Sequence, residues 1–232
     1  MAGSGSSHLS EPLPRDACLI IGAGHFGHRA IKLLSEESRP LLVVDVNEAC
    51  LAGAGGPGLR WIPCDGIRFL VNNHHLLNPG NIIVPAIPLH LAFEWLKRYL
   101  GEKYKVEKIS VPPEARGPLP HTWEGSEGSL LVSYADFVCP DNCPEPEYCT
   151  VTGERRDRPL FQLLRNLTLP GFRTLVIRSH QLAPGLGGYK VADLTDAAAR
   201  VAQGGAGKWL LGSACRCHGV LTAMEVRPVE YT

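Results

Sequence analysis

The chain has 232 residues with 23 Lys plus Arg against 23 Asp plus Glu, a balance without the basic bias that would point to nucleic acid or an anionic membrane surface. Apolar residues make up 44% and charged residues 20%, the composition of an ordinary globular protein with enough chain for a sizeable core. The longest apolar stretch, Ile82 to Leu96, is broken by Pro85, Pro88, His90 and Glu94, so it cannot span a bilayer, and the expected compartment is the cytoplasm.

Met1 to Asp16 is rich in Gly, Ser and Pro and lacks an apolar run, which reads as a flexible tail rather than a signal peptide. Cys18-Leu19-Ile20-Ile21 then reads as a short apolar strand. It is followed by Gly22-Ala23-Gly24-His25-Phe26-Gly27, by a helical pattern with Ala30, Ile31, Leu33 and Leu34, and by a second apolar run, Leu41 to Val44, closed by Asp45. Strand, G-x-G-x-x-G turn, helix and acid-terminated strand are together the parts of a dinucleotide site. In such a site Gly22 permits the tight turn, Gly24 lets the backbone approach a pyrophosphate, and Gly27 lets the helix close on the strand. The N–H groups of the turn, through Ala23, His25 and Phe26, and the positive end of the helix dipole face the phosphates. Asp45 is placed to accept hydrogen bonds from an adenosine ribose and to repel a 2′-phosphate, which favours NAD(H) over NADP(H).

The phrase Ile21-Gly22-Ala23-Gly24-His25-Phe26-Gly27 resembles the opening of Rossmann-type NAD-binding domains. It is most similar to the RCK-type nucleotide-binding domains that regulate potassium transport; precorrin-2 dehydrogenases and saccharopine-type reductases begin in a similar way. The resemblance covers roughly the first half of the chain. It implies a fold and a cofactor, not a substrate. It also implies that Asp65, after the third strand, lies near the adenine.

Further along, Glu48 to Leu51 reads as a short helix and Gly53 to Gly58 as a helix end and loop. Leu59 to Pro63 and Asn81 to Val84 read as strands three and four, and Leu89 to Leu100 as a helix. Ligands of open α/β sheets sit beyond the carboxyl ends of the strands, which places Pro85 and His90 near the expected nicotinamide. His90 is an acid/base candidate, or equally a residue that caps or packs at the helix start. Val106 to Val111 reads as a fifth strand, and the prolines from Pro112 to Pro120 mark a domain boundary. The expected layout is therefore a tail (1–16), an α/β domain with a Rossmann-like parallel sheet (17–112), and a second, smaller α+β domain (113–232).

Eight cysteines without an export signal are expected to be reduced rather than paired in disulfides. Cys18, Cys50 and Cys64 stand alone, whereas Cys139, Cys143 and Cys149 cluster in a proline-rich loop, and Cys215 and Cys217 form a second group. Ser129 to Ser133 and Asp136 to Val138 lead into that loop as extended segments. Thiolates in such an arrangement suit an iron–sulfur cluster or zinc, although C-x3-C-x5-C is not a zinc-ribbon spacing. Without metal they are redox-active thiols or small packing residues. Arg155 and Arg156, just past the loop, are either solvated or a clamp for a substrate carboxylate. A strand at Phe172 to Ile177 leads to His180, a second acid/base candidate. Beside it, Pro184 to Gly188 is a closing loop or a plain connection. A helix over Val191 to Ala202 and a hairpin of Lys208 to Ser213 with Val220 to Val226 complete the chain.

The function expected from these residues is an NAD(H)-binding oxidoreductase with a cysteine-ligated metal or iron–sulfur centre in its second half. The alternatives are a non-catalytic NAD(H)- and redox-sensing module and a purely structural metal domain. The expected partner is a small-molecule substrate or a redox partner, with homodimers allowed and neither nucleic acid nor membrane involved.

Overall fold

The protein is described by a computed structural model over residues 8–37, 39–51 and 58–229. The start of the tail and most of the Gly53–Gly58 segment lie outside these residues. Strands β1 (Cys18–Ile21) and β2 (Leu41–Asp45) are buried on both faces, as their uninterrupted apolar sequences require. They lie parallel to each other, to β3 (Leu59–Pro63) and to β4 (Ile82–Pro85). Two later strands, β9 (His180–Ala183) and β10 (Leu186–Lys190), extend this sheet antiparallel beyond β4, giving the order β3-β2-β1-β4-β10-β9.

The second sheet is also mixed. It runs β6 (His121–Glu124), β7 (Leu130–Ser133), β12 (His218–Pro228), β11 (Gly207–Ala214), β8 (Phe172–Arg178), with β5 (Tyr104–Ile109) on the far half of β12. The length of β12 allows this: its first residues pair with β7 and its last with β5, while its other edge pairs with β11.

Helices α2 (Gly66–Asn73), α3 (Leu91–Tyr99) and α5 (Val191–Gly204) lie between the two sheets. Their apolar faces join Leu19, Ile21 and Ile83 of one sheet and Leu211, Met224 and Val226 of the other in one core. Helix α1 (His25–Ser35) covers the outer face of the first sheet with Ala30, Ile31 and Leu34. Helix α4 (Leu160–Arg165) covers the outer face of the second with Leu160, Phe161 and Leu164.

The structure departs from the expected layout in four places. The architecture is mixed α/β with two mixed sheets and few helices. The division at residue 112 does not follow the sheets, since β5 belongs to the second and β9 and β10 return to the first. Residues 8–16 are not a free tail. Leu9 and Leu13 are 7% and 5% exposed, the Leu9 N–H donates to Asn73 Oδ1 at 2.7 Å, and the Asn81 amide donates to the carbonyls of Pro14, Arg15 and Ala17. Two leucines among prolines and serines look solvated in sequence, but here both join the core lined by Ile67, Phe69 and Leu70 of α2. Finally, Asp136–Val138 is a bend rather than a strand.

Candidate functional site

The three glycines of the first turn differ in their surroundings. Gly22 has φ +103°, and a methyl group there would lie 2.5 Å from the Ala86 carbonyl oxygen. At Gly27 a methyl would lie 2.1 Å from the Gly22 carbonyl oxygen, so α1 crosses the strand end in contact with it. Gly24, by contrast, faces open space with nothing within 4 Å. It caps α1 with no side-chain hydrogen bond and no acidic residue in the first turn. The exposed apolar side chains of Phe26 and Val46 stand at the ends of this turn and of β2.

Asp45 is tied inward. Its Oδ2 accepts the Ala23 N–H at 2.6 Å and its Oδ1 the Asn47 N–H at 2.8 Å, so it fastens the glycine turn to the end of β2 and keeps further lone pairs on both oxygens. Asp65 caps α2 by accepting the Arg68 N–H at 2.6 Å and pairs with Arg98 at 3.2 Å, which is a helix-capping role.

Beyond the carboxyl end of β4 lies a cleft of about 600 Å³. Phe26 and Arg29 of α1 form one rim, Pro85 and Ala86 the near wall, and Ser213 and Ala214 of β11 the far wall. His90 also borders it, though only 4% exposed. Its Nε2 is 2.6 Å from Ser213 Oγ and its Nδ1 2.8 Å from Thr222 Oγ1, which in turn lies 2.9 Å from Ser129 Oγ. Burial, helped by Lys108, pushes the His90 pKa down to about 3. The ring is therefore neutral, and one hydroxyl neighbour donates to it while the other accepts. Tyr189, in the same wall, is buried with its hydroxyl unpartnered.

His180 stands elsewhere. It is exposed on β9, an edge strand, and its pKa is lowered by partial burial and then by Arg178; its neighbour Ser179, not His180, lines the cleft. The Pro184–Gly188 segment is the turn of the β9–β10 hairpin and the first residues of β10. The prominent residues here that sequence reasoning passed over are Arg29, Tyr189 and Ser213. Their partners lie far away in the chain, and no local pattern marks them.

The cysteine loop borders the cleft beside α1, and Cys139, Cys143, Glu145, Cys215 and His218 line it. Arg29 holds the loop in place, donating to the carbonyls of Asp141, Pro184 and Gly185. The Cys143 carbonyl accepts from the Gly185 N–H at 2.8 Å and from Gln181 at 2.9 Å.

The thiols differ in electrostatics. Burial pushes Cys139 up, and neighbouring Cys143 and Cys149 add to this while Arg156 opposes it. Burial takes Cys217 up to about 11, with Glu145, Cys143 and Cys139 adding to the effect. Burial and then Glu145 take Cys215 up to about 12. Cys149 is drawn down to about 7, chiefly by the Thr152 N–H, with the Val151 N–H and the Arg156 side chain assisting. Cys139 Sγ lies 3.5 Å from His218 Nε2.

The two arginines of the expected clamp separate. Arg155 is exposed and paired with Glu147 and Asp157; Arg156 is 8% exposed, stacks over Tyr134, and has its Nε without a partner. Among the described residues no three His, Cys, Asp or Glu side chains form a group that could hold a single ion. Nor is any helix long and apolar enough to cross a membrane.

Two family models match the chain. AF_1314_C, described as "Uncharacterized protein, C-terminal domain", matches residues 92–227, and AF_1314_N, its N-terminal counterpart, matches residues 17–56. A protein of Archaeoglobus fulgidus, itself named "Uncharacterized protein", is 30% identical over 225 residues, covering 89% of this chain and 98% of its own. No solved structure matches. These matches replace the resemblance drawn from Ile21–Gly27: neither the Rossmann superfamily nor the RCK type is recognised in the chain. A few glycines and one acid are too small a signature to fix a family.

Proposed function

This chain belongs to the AF_1314 family, and we propose that it is an NAD(H)-binding oxidoreductase whose cleft brings a small substrate between the cofactor and the cysteine lobe. The observation that carries this reading is the division of labour among the glycines. Gly22 and Gly27 are required by packing, but Gly24 has no packing reason to lack a side chain and opens onto free helix-start N–H groups. A turn that is tight at two positions and bare at the third fits a pyrophosphate. The remaining lone pairs of Asp45 suit ribose hydroxyls and oppose a 2′-phosphate.

When bound, the cofactor supplies or accepts the hydride. The chain's own part is orientation and proton handling. Phe26, Pro85 and Ala86 offer apolar surface to a flat ring, and the Ser213 hydroxyl, aimed by neutral His90, is the proton-bearing group on the facing wall. The cysteine lobe is the second redox element. The sensing alternative draws support from Arg29, which links the helix behind the glycine turn directly to the cysteine loop. Turnover of NADH with an acceptor separates the two.

The test is fluorescence titration of NADH and NADPH into the full-length protein and its Gly24→Asp variant. Open space at Gly24 lets the variant fold, so its melting temperature should hold while NADH affinity falls more than about tenfold through charge repulsion. Wild-type protein that binds neither nucleotide, or a variant that binds as well as wild type, overturns the reading.

A further inference from the structure

We infer that Cys139 and His218 are a nucleophile and its general base, and that the cleft presents an apolar aldehyde to them. This deepens the proposed function by naming its substrate class; the hydride step rests on the nucleotide site proposed above, and the covalent step does not. The starting observation is a contact. Cys139 Sγ lies 3.5 Å from His218 Nε2, and both side chains line the cleft of about 600 Å³ beyond β4. Backbone pairing brings them together. Ser133, at the end of β7, pairs with His218, and the Tyr134 N–H donates to the Cys217 carbonyl at 3.0 Å. Two residues past Cys139, the Asp141 carbonyl is held by Arg29. A thiol and an imidazole within hydrogen-bond reach on the wall of a cleft form the arrangement of an activated cysteine.

The direction of the proton follows from the surroundings. Burial lowers the pKa of His218 and raises that of Cys139, so both are neutral near pH 7, with the thiol donating and Nε2 accepting. His218 therefore takes the thiol proton as the sulfur attacks, and no thiolate need exist beforehand. Glu145 lines the same cleft and opposes the effect of burial on His218, which favours the imidazolium formed at that moment. The other thiols lack this setting. Cys149 and Cys217 are not among the residues lining the cleft. Cys215 is buried, and its sulfur accepts the His218 N–H at 3.3 Å. Cys143 lines the cleft, but no hydrogen bond to its sulfur is made among the described residues.

The cleft selects an uncharged, apolar substrate. Phe26, Leu89 and Leu131 are exposed apolar side chains, and all three line it together with Leu186 and Val220. Arg29 is engaged by backbone carbonyls, and the carboxylates of Asp141 and Glu145 among the lining residues oppose an anion. Of the carbonyl electrophiles, an aldehyde suits a thiol beside a nicotinamide, because its adduct keeps a hydrogen on the attacked carbon. The sulfur–carbon bond forms as the carbonyl π bond opens, and the thiol proton passes through His218 to the aldehyde oxygen. That carbon then gives its hydride to NAD+ while the hydroxyl proton leaves through His218, which converts the adduct to a thioester. Water cleaves the thioester and restores the thiol, so that aldehyde, NAD+ and water become carboxylic acid, NADH and a proton.

The test follows alkylation of each cysteine of the full-length protein by iodoacetamide, read by peptide mass spectrometry near pH 7 without nucleotide. Cys149, drawn down to about 7 and outside the cleft, is the reference thiol in every sample. His218→Gln should slow alkylation of Cys139 at least about tenfold and leave Cys149 unchanged. In the wild type, butanal should suppress alkylation of Cys139 in a saturable way and spare Cys149, a measurement that needs no variant to fold. With NAD+ added, butanal should yield NADH and a hydroxylamine-sensitive butanoyl group on Cys139, both lost in Cys139→Ser. The inference is overturned by a Cys139 rate that does not depend on His218 in a folded variant. It is equally overturned by absence of butanal protection, or by protein that binds NADH yet forms none from butanal and NAD+. Protection and His218 dependence in protein that binds no NADH refute the nucleotide site and leave the thiol–aldehyde chemistry standing.

Discussion

Replacing His90 by glutamine removes a titrating group from the centre of the molecule while leaving a donor and an acceptor for Ser213 and Thr222. In the folded chain the His90 pKa is pushed from the ordinary 6.5 to about 3 by complete burial and by Lys108. The unfolded imidazole takes up a proton as the pH falls below 6.5, whereas the folded one does not until about 3. The unfolded state binds more protons throughout that window, so the contribution to stability is present above the ordinary value and is lost as the medium becomes acidic. The gap corresponds to roughly 2 kcal/mol lost between about pH 7.5 and about pH 5, and about 5 kcal/mol at full protonation of the unfolded state. Urea unfolding at the two pH values, for wild type and His90→Gln, measures it. Other titrating groups contribute equally to both proteins, so the wild type should lose about 2 kcal/mol more than the variant, even though the variant starts about 1–3 kcal/mol lower from imperfect hydrogen bonding. Equal acid sensitivity in the two proteins would refute the assignment of His90 as a neutral, buried link between the cleft wall and β12.

Three further outcomes follow from packing. Gly27→Ala forces a methyl group against the Gly22 carbonyl, and since backbone cannot yield there, unfolding should be easier by about 3 kcal/mol or more, read by chemical denaturation; Gly24→Ala, facing open space, should be close to neutral. Leu9→Ala with Leu13→Ala empties two buried positions and should cost about 4 kcal/mol in the same assay, whereas a solvated tail would show almost no change. Arg29→Met keeps the apolar stem but loses the bonds to Asp141, Pro184 and Gly185; amide exchange should accelerate in residues 139–143 and 183–186, with a global loss of about 1–3 kcal/mol. Unchanged exchange there would mean that Gln181 and the Gly185 N–H hold the loop without Arg29.

How far each element was legible depends on where its determinants lie. Cys18–Ile21 and Leu41–Val44 contain no polar residue, so only burial on both faces suits them, and each is a central strand. The alternation in β11 and β12 and the spacing of Leu89, Phe93, Leu96 and Leu100 along α3 and its flanks were equally readable. Strands β9 and β10 were not: Gly187-Gly188-Tyr189 has no apolar alternation, and the segment is extended because Tyr189 and Lys190 pair with Ile83 and Ile82 and because Gly188 fits against the Ile83 carbonyl. Strand β6 is an exposed edge paired with β7. Helix α2 carries a usable local signal, Asp65 as a cap before Ile67, Phe69 and Leu70.

The site divides in the same way. The glycine turn could be read because its demands, a left-handed residue and a helix in contact with its own strand end, are local and fall on neighbouring residues. The family could not be read, since those demands recur wherever a strand turns tightly into a helix. Sequence alone showed where cysteines crowd. It did not show that Arg156 turns inward while Arg155 stays in solvent, or that His90 is buried against Ser213 and Thr222. Each of those depends on contacts between residues far apart in the chain. Burial and charge neighbourhood are properties of the packed whole: a residue's ionisation is set by which side chains the fold brings beside it, and the chain order of those side chains carries no record of that distance.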